Sequence, residues 1–186
     1  SRSSAWLATL KSYLIRFPHA MLGECGLDRW MKSPKIADQH QIFREQMNLA
    51  LSLNRPITIH CLKAWGPLMS ELKDFPRLPR FLLHSFGGSL EIGKEAAHLG
   101  AYFSFSGYFL QTKKFKIREV FSRLPIERIL VETDAPEMAL PNPKFQFNDL
   151  NHPANLAFIS HELAEMCDTE PERFTANTCA FWGEDK

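Results

Sequence analysis

Short apolar runs of strand type alternate with amphipathic runs of helix type along the whole chain. No other feature of the sequence restricts the fold as much. Ser3 or Ser4 caps a helix that runs to about Arg16, with Leu7, Leu10 and Leu14 near its apolar face. The apolar run Ala20-Met21-Leu22 then leads into GECGLD. Ser33-Pro34 opens a long helix to about Leu53, where Ile36, His40, Phe43, Met47 and Ala50 keep helical register. The β-branched run at 57–60 is a strand. Further strands are expected at 80–84, 101–106 and 128–132, separated by helices at about 67–74, 90–99 and 113–124. A polar, proline-rich loop follows, then two helices at about 153–167 and 171–181. Strands joined by helical crossovers run parallel, so the fold class is α/β. Two architectures fit, an open doubly wound sheet or a (β/α) barrel, and both place ligands at the C-terminal ends of the strands.

Composition narrows the function classes. The 186 residues suffice for one domain with a sizeable core, and 45% hydrophobic against 23% charged residues is ordinary globular usage. Twenty-two basic and 21 acidic residues leave a formal charge of +1, so any contact with nucleic acid has to be local. No apolar run reaches the roughly 18 residues of a membrane span, and the first segment is amphipathic, unlike a signal sequence. Cys25, Cys61, Cys167 and Cys179 form no CxxC pair and read as reduced thiols of a cytoplasmic protein.

Chemistry gathers at the strand ends. The first strand ends at Glu24, the second at His60, the third at His84 and the last at Asp134, while the fourth ends in Ser104, Ser106 and Gly107. Any one of these is an ordinary polar strand end or helix cap. Four on four of five strands, two imidazoles and two carboxylates, form a ligand set for Zn²⁺ or a similar divalent ion. An open sheet spreads such residues along a line, whereas a barrel gathers them around one axis.

The sequence blocks GECGLD (23–28), ITIHC (57–61), LLHSFGGS (82–89), YFSFSG (102–107), ILVETDAPEM (129–138), NHPANL (151–156) and NTCAFWG (177–183) resemble, in this order, the TatD family of metal-dependent hydrolases, which are TIM barrels of the amidohydrolase superfamily. The resemblance implies a (β/α)8 barrel of which about five C-terminal strand-helix units are present. It treats 1–186 as a single, N-terminally incomplete TatD-like domain. It implies that Glu24 bridges two metal ions, that His60 and His84 bind one of them, and that Asp134 both binds metal and takes a proton from the attacking water. The implied cofactor is a divalent ion (Zn, Mg or Mn; one or two). The implied reaction is hydrolysis of phosphodiester bonds in DNA, by a protein that is a monomer when complete. A bound divalent ion lowers the pKa of its water and offsets charge on phosphoryl oxygens, and a nearby carboxylate serves as general base.

Two features depart from the family pattern. None of the seven histidines is spaced as the His-x-His of the family's first strand, and three opening strands are expected to lie outside the sequence. Where many members carry an arginine after the second strand this chain has Leu62, with Lys63 next, a point charge without arginine's bidentate fork. Asp28 resembles the family's GLD aspartate and could orient a ligand; Glu132, two residues before Asp134, either supports the metal site or pairs with an interior base. Ser104 and Ser106 share a face opposite Phe103 and Phe105. Lys113, Lys114, Lys116 and Arg118 form a basic helix face, and Trp65, Phe86, Tyr108 and Phe109 are candidates for stacking on bases. Besides the nuclease reading stand a truncated, non-catalytic barrel fragment acting as a binding or scaffold piece, and a metal-dependent hydrolase of a non-nucleic-acid ester or amide.

Overall fold

The computed structural model describes residues 5–183. The Ser3 or Ser4 cap therefore lies outside the described residues, and helix α1 (Trp6–Arg16) starts after Ala5. The elements then run β1 (Leu22–Asp28), α2 (Ile36–Leu53), β2 (Ile57–Leu62), α3 (Trp65–Asp74), β3 (Phe81–Leu83), α4 (Leu90–His98), β4 (Tyr102–Ser106), α5 (Phe115–Phe121), β5 (Ile129–Glu132), β6 (Gln146–Phe147), β7 (Leu150–Asn151), α6 (Leu156–Met166) and α7 (Glu172–Trp182). The first five strands follow one another in the sheet in chain order. This order separates the two architectures that the strand-helix alternation alone leaves open. A doubly wound sheet reverses its strand order at a switch point, whereas a barrel wall adds strands in sequence. Strands added in chain order agree with the barrel expectation and not with the doubly wound one.

The chain divides into two compact units, the first ending at Leu82. In the first unit β1 and β2 pair in parallel, with Gly26 opposite His60 and Asp28 opposite Leu62. The register shifts between Leu22 and Cys25, so Glu24 sits in an irregularity of the strand. The expectations that the first strand stops at Glu24 and the second at His60 are both corrected: pairing resumes after Glu24 and continues to Asp28 opposite Leu62, because the glycines of GECGLD let the chain stay extended against β2. Helix α2 packs on β1 with Phe43, Met47 and Ala50 fully buried, at the spacing of one helical face. It ends at Asn54, which takes the left-handed conformation (φ 50°) and donates its backbone N–H to the Ala50 and Leu51 carbonyls. His40, read as an ordinary helix histidine, lies 2.6 Å from the Glu71 carboxylate, whose other oxygen is 2.5 Å from Arg44. These pairs join α2 to α3.

In the second unit β4 and β5 pair in parallel from Phe103–Ile129 to Ser106–Glu132. The alternation read from the sequence has a clear outcome. Phe103 packs edge-on against Phe86 at 5.0 Å and Phe105 against Phe121 at 5.0 Å, and these four rings are fully buried. Phe109 joins them, so Phe86 and Phe109 are core residues and not base-stacking ones. The basic run opens as a 3₁₀ turn, Thr112–Lys114, before α5 begins at Phe115. Asn177 of α7 donates to the carbonyls of Ile126 (2.7 Å) and Ile129 (2.8 Å), fastening the start of β5. The proline-rich loop contains a hairpin, β6–β7, that the sequence did not reveal, because two-residue strands carry no readable periodicity.

Phe121 touches Phe86, Phe105 and Phe109. Phe121→Ala is therefore expected to destabilise the protein by about 3–5 kcal/mol, read as a drop in urea midpoint; a loss under about 1 kcal/mol would contradict this packing.

Candidate metal centre

His60 lies between two carboxylates. Its Nδ1 is 3.9 Å from the Glu24 carboxylate and its Nε2 is 3.6 Å from that of Asp28. The backbone creates this arrangement. Gly26, directly opposite His60, adopts φ +150°, and a Cβ there would come within 1.8 Å of the His60 carbonyl oxygen. Only glycine permits that approach. Asp28 is held from three directions. Its carboxylate accepts from the Trp30 backbone N–H at 2.6 Å, its N–H donates to the Gln39 side-chain oxygen at 2.8 Å, and its carbonyl accepts from the Gln39 amide at 3.0 Å. Gln39 escaped the sequence reading, since one polar residue in a helix carries no signal of a contact across a loop. A cleft of about 310 Å³ opens here, lined by Glu24, Asp28, Gln39 and His60 among others.

The alternate residues of the two strands face inward. Burial, helped by the adjacent Glu24 carboxylate, pushes the Cys25 thiol up to about 12. Burial pushes Cys61 up to about 12 as well. Both are buried thiols held in the protonated form. Lys63 leaves β2 in the left-handed region (φ 53°) and stands 3.7 Å above the ring of Trp30, which is 64% exposed. It is a cation on the open rim, paired with an aromatic face.

The second unit holds the other candidates. His84 follows β3 and is nearly buried, and its Nδ1 lies 3.7 Å from Glu132. Ser104 donates to the other Glu132 oxygen at 2.5 Å and accepts from the Ser85 N–H at 2.9 Å. The Phe86 N–H donates to the Ser104 carbonyl at 3.2 Å. A single hydroxyl thus ties the turn after His84 to Glu132. Of the two roles weighed for Glu132, the structure shows it beside a histidine that is itself a candidate ligand. Its remaining oxygen, Oε1, is buried, accepts no hydrogen bond and lies 3.7 Å from the His84 Nδ1.

Asp134 is two residues beyond β5, in the left-handed region (φ 56°) that aspartate tolerates better than most residues. The loop around it is pinned by the NHPANL block. Asn151 donates its side-chain amide to the Thr133 carbonyl at 2.7 Å and its backbone N–H to the Pro136 carbonyl at 2.9 Å. Asn155 in turn donates to the Asn151 side-chain oxygen at 3.1 Å, and both asparagines are buried. Their role as positioning residues was not read from the sequence, although the block containing them was.

The pattern of blocks and this geometry meet in the comparison with known proteins. The family described as TatD related DNase matches residues 1–181. This chain belongs to the TatD family. It is 30% identical to the 3'-5' ssDNA/RNA exonuclease TatD of Citrobacter koseri, over 96% of this chain and 71% of that protein. It is 32% identical to the uncharacterized metal-dependent hydrolase YabD of Bacillus subtilis, over 92% of this chain and 67% of that protein. The crystal structure of YJJV, a TatD homolog from Escherichia coli K12, superposes with a TM-score of 0.87 at 30% identity, covering 98% of this chain and 71% of that one. The TatD fold accounts for the strand order and for ligand-type residues at the strand exits.

Gly26→Ala is expected to cost about 2 kcal/mol or more, because its Cβ collides with backbone that has no freedom to move aside. A thermal midpoint equal to that of the parent would refute the close approach. The buried thiols give a second expectation. Each ionises near 9.0 when exposed and about 12 when folded, so the stability they contribute is present below pH 9 and is lost as pH rises toward 12. Native protein at about pH 8 should leave Cys25 and Cys61 unlabelled by a thiol reagent until it unfolds, as peptide mapping would show.

Proposed function

We propose that this chain is a metal-dependent phosphodiesterase of nucleic acid, with Glu24, His60, His84 and Asp134 holding a divalent ion. The observation that carries the proposal is the placement of these residues within a TatD-family chain: Glu24 and Asp28 flank His60, Glu132 flanks His84, and Asp134 occupies a pinned loop beyond β5. Glu24, His60 and His84 each offer one ligand atom of the kind that holds a divalent ion. The mixed imidazole and carboxylate set suits Zn²⁺ or Mn²⁺ and tolerates Mg²⁺. Relatives named as single-strand exonucleases and as a metal-dependent hydrolase support the same chemistry.

When bound, such an ion polarises the phosphoryl oxygen and makes a water more acidic. The protein's own groups do the rest. Asp134 takes up the proton of the attacking water, as a carboxylate held in one conformation by its loop. Glu132 stands 3.7 Å from His84 and Asp28 3.6 Å from His60. Each is the group to accept a ring N–H and so leave the other ring nitrogen's lone pair for the ion once the site tightens around it. Lys63 offers a cation to a phosphate at the rim. The four reduced cysteines agree with a cytoplasmic setting, and no helix among the described residues is long and apolar enough to cross a membrane.

Purified protein should bind about one or two equivalents of divalent metal and degrade a DNA oligonucleotide, with activity removed by a chelator and restored by the ion. Glu24→Ala should lose metal and activity together. Asp134→Asn should lower kcat by about 100-fold or more. Full activity in both variants would refute the assignment.

A further inference from the structure

The hairpin β6–β7 exposes apolar surface that neither the core nor the metal site explains. Phe147 is 67% exposed, Phe145 50% and Leu150 45%, on a segment of only six residues. Such a cluster is costly to hold in water unless something covers it. The segment is nevertheless fixed in place. The Phe145 N–H donates to the buried Asn155 side-chain oxygen at 3.0 Å, and the Asn155 amide donates back to the Phe145 carbonyl at 2.8 Å. Gln146 pairs with Asn151 and Phe147 with Leu150 across the hairpin, and Gln146 donates to Asp149 at 3.2 Å. Asn151 at its end is the residue that grips the loop carrying Asp134.

Beside the hairpin lies an open cleft of about 570 Å³, lined by Lys144, Phe145, Phe147, Leu150 and His152 among others. That volume is in the range of small-ligand sites. The His152 Nδ1 accepts from the Ala154 N–H at 3.0 Å, and the ring lies 6.1 Å from that of Phe145. Flat apolar faces, a lysine and an imidazole around a cleft of this size are the parts that take up a base together with its phosphate.

We infer that the hairpin is a stacking platform for an unpaired nucleobase of the substrate strand, with Phe147 as its principal face. The inference rests on the nucleic-acid reading above and deepens it, because an aromatic face stacks only on a base already out of a duplex. The platform is carried on the same asparagine clamp that fixes the Asp134 loop, so a strand seated on it is registered to the strand exits of its own unit.

The test is binding by metal-free protein in the presence of a chelator, read as fluorescence anisotropy with a labelled single-stranded oligothymidine and an abasic strand of equal length. Phe147→Ala should weaken binding of oligothymidine by about 5- to 100-fold and leave the abasic strand unaffected, while Phe147→Trp should restore the parent affinity. The thermal midpoint of each variant shows whether it is folded. Equal affinity of the parent for both strands, an equal loss on both strands in Phe147→Ala, or a shift from dimer to monomer in Phe147→Ala without change in oligothymidine binding would each overturn the platform. Hydrolysis is measured separately with metal added. A protein that binds as expected but cuts nothing overturns the hydrolase reading alone; one that cuts but ignores the bases overturns the platform alone.

Discussion

The close approach of β1 to β2 at Gly26 is the constraint on which the first part of the candidate site depends. With no Cβ and a positive φ, Gly26 lies against the His60 carbonyl. Glu24 and Asp28 stand two residues to either side of it, so the parallel ladder places both carboxylates within 4 Å of one imidazole. A side chain at position 26 would push the strands apart, and this geometry would go with them. The sheet backbone sets where both carboxylates start, and Gln39 and the Trp30 N–H hold Asp28 in place.

The second unit solves the same problem with hydrogen bonds. Ser104 joins the Ser85 amide to Glu132, and Glu132 stands beside His84. Asn151 and Asn155 hold the loop of Asp134. Lys63, Ser85 and Asp134, each within two residues of a strand end, take left-handed backbone conformations. For non-glycine residues these cost about 1 kcal/mol or more and persist where surrounding contacts over-determine the chain. Left-handed residues at these strand exits, with buried polar clamps beside them, set the direction of the side chains that follow the sheet.

Much of this was legible in the sequence. The alternation of strand and helix, the Phe face of β4 and the four ligand-type residues all follow from local chemistry that the folded protein keeps. The family pattern was legible because its blocks are the strand exits themselves. What escaped reading has a common physical character. Gln39, Asn151 and Asn155 act through contacts with residues outside their own segment, and their residue types are ordinary for any surface. Phe86 and Phe109 were candidates for base stacking because they follow strand ends, yet apolar rings near a core are covered by it whenever geometry allows. The hairpin β6–β7 was invisible because two-residue strands carry no period.

The sequence by itself determined the α/β class, the parallel strands and the ligand-type residues on or just beyond them, since these depend on periodicity and on residue type. Alternation alone left a doubly wound sheet and a barrel both open and the family resemblance implied the barrel; the strand order that agrees with it is a property of the sheet and not of any segment. Only the tertiary structure decided that β1 continues past Glu24, that Glu132 belongs to His84, and that exposed aromatic rings stand on a clamped hairpin. Each of these depends on which atoms lie within a few ångströms across the fold, which local sequence chemistry does not specify.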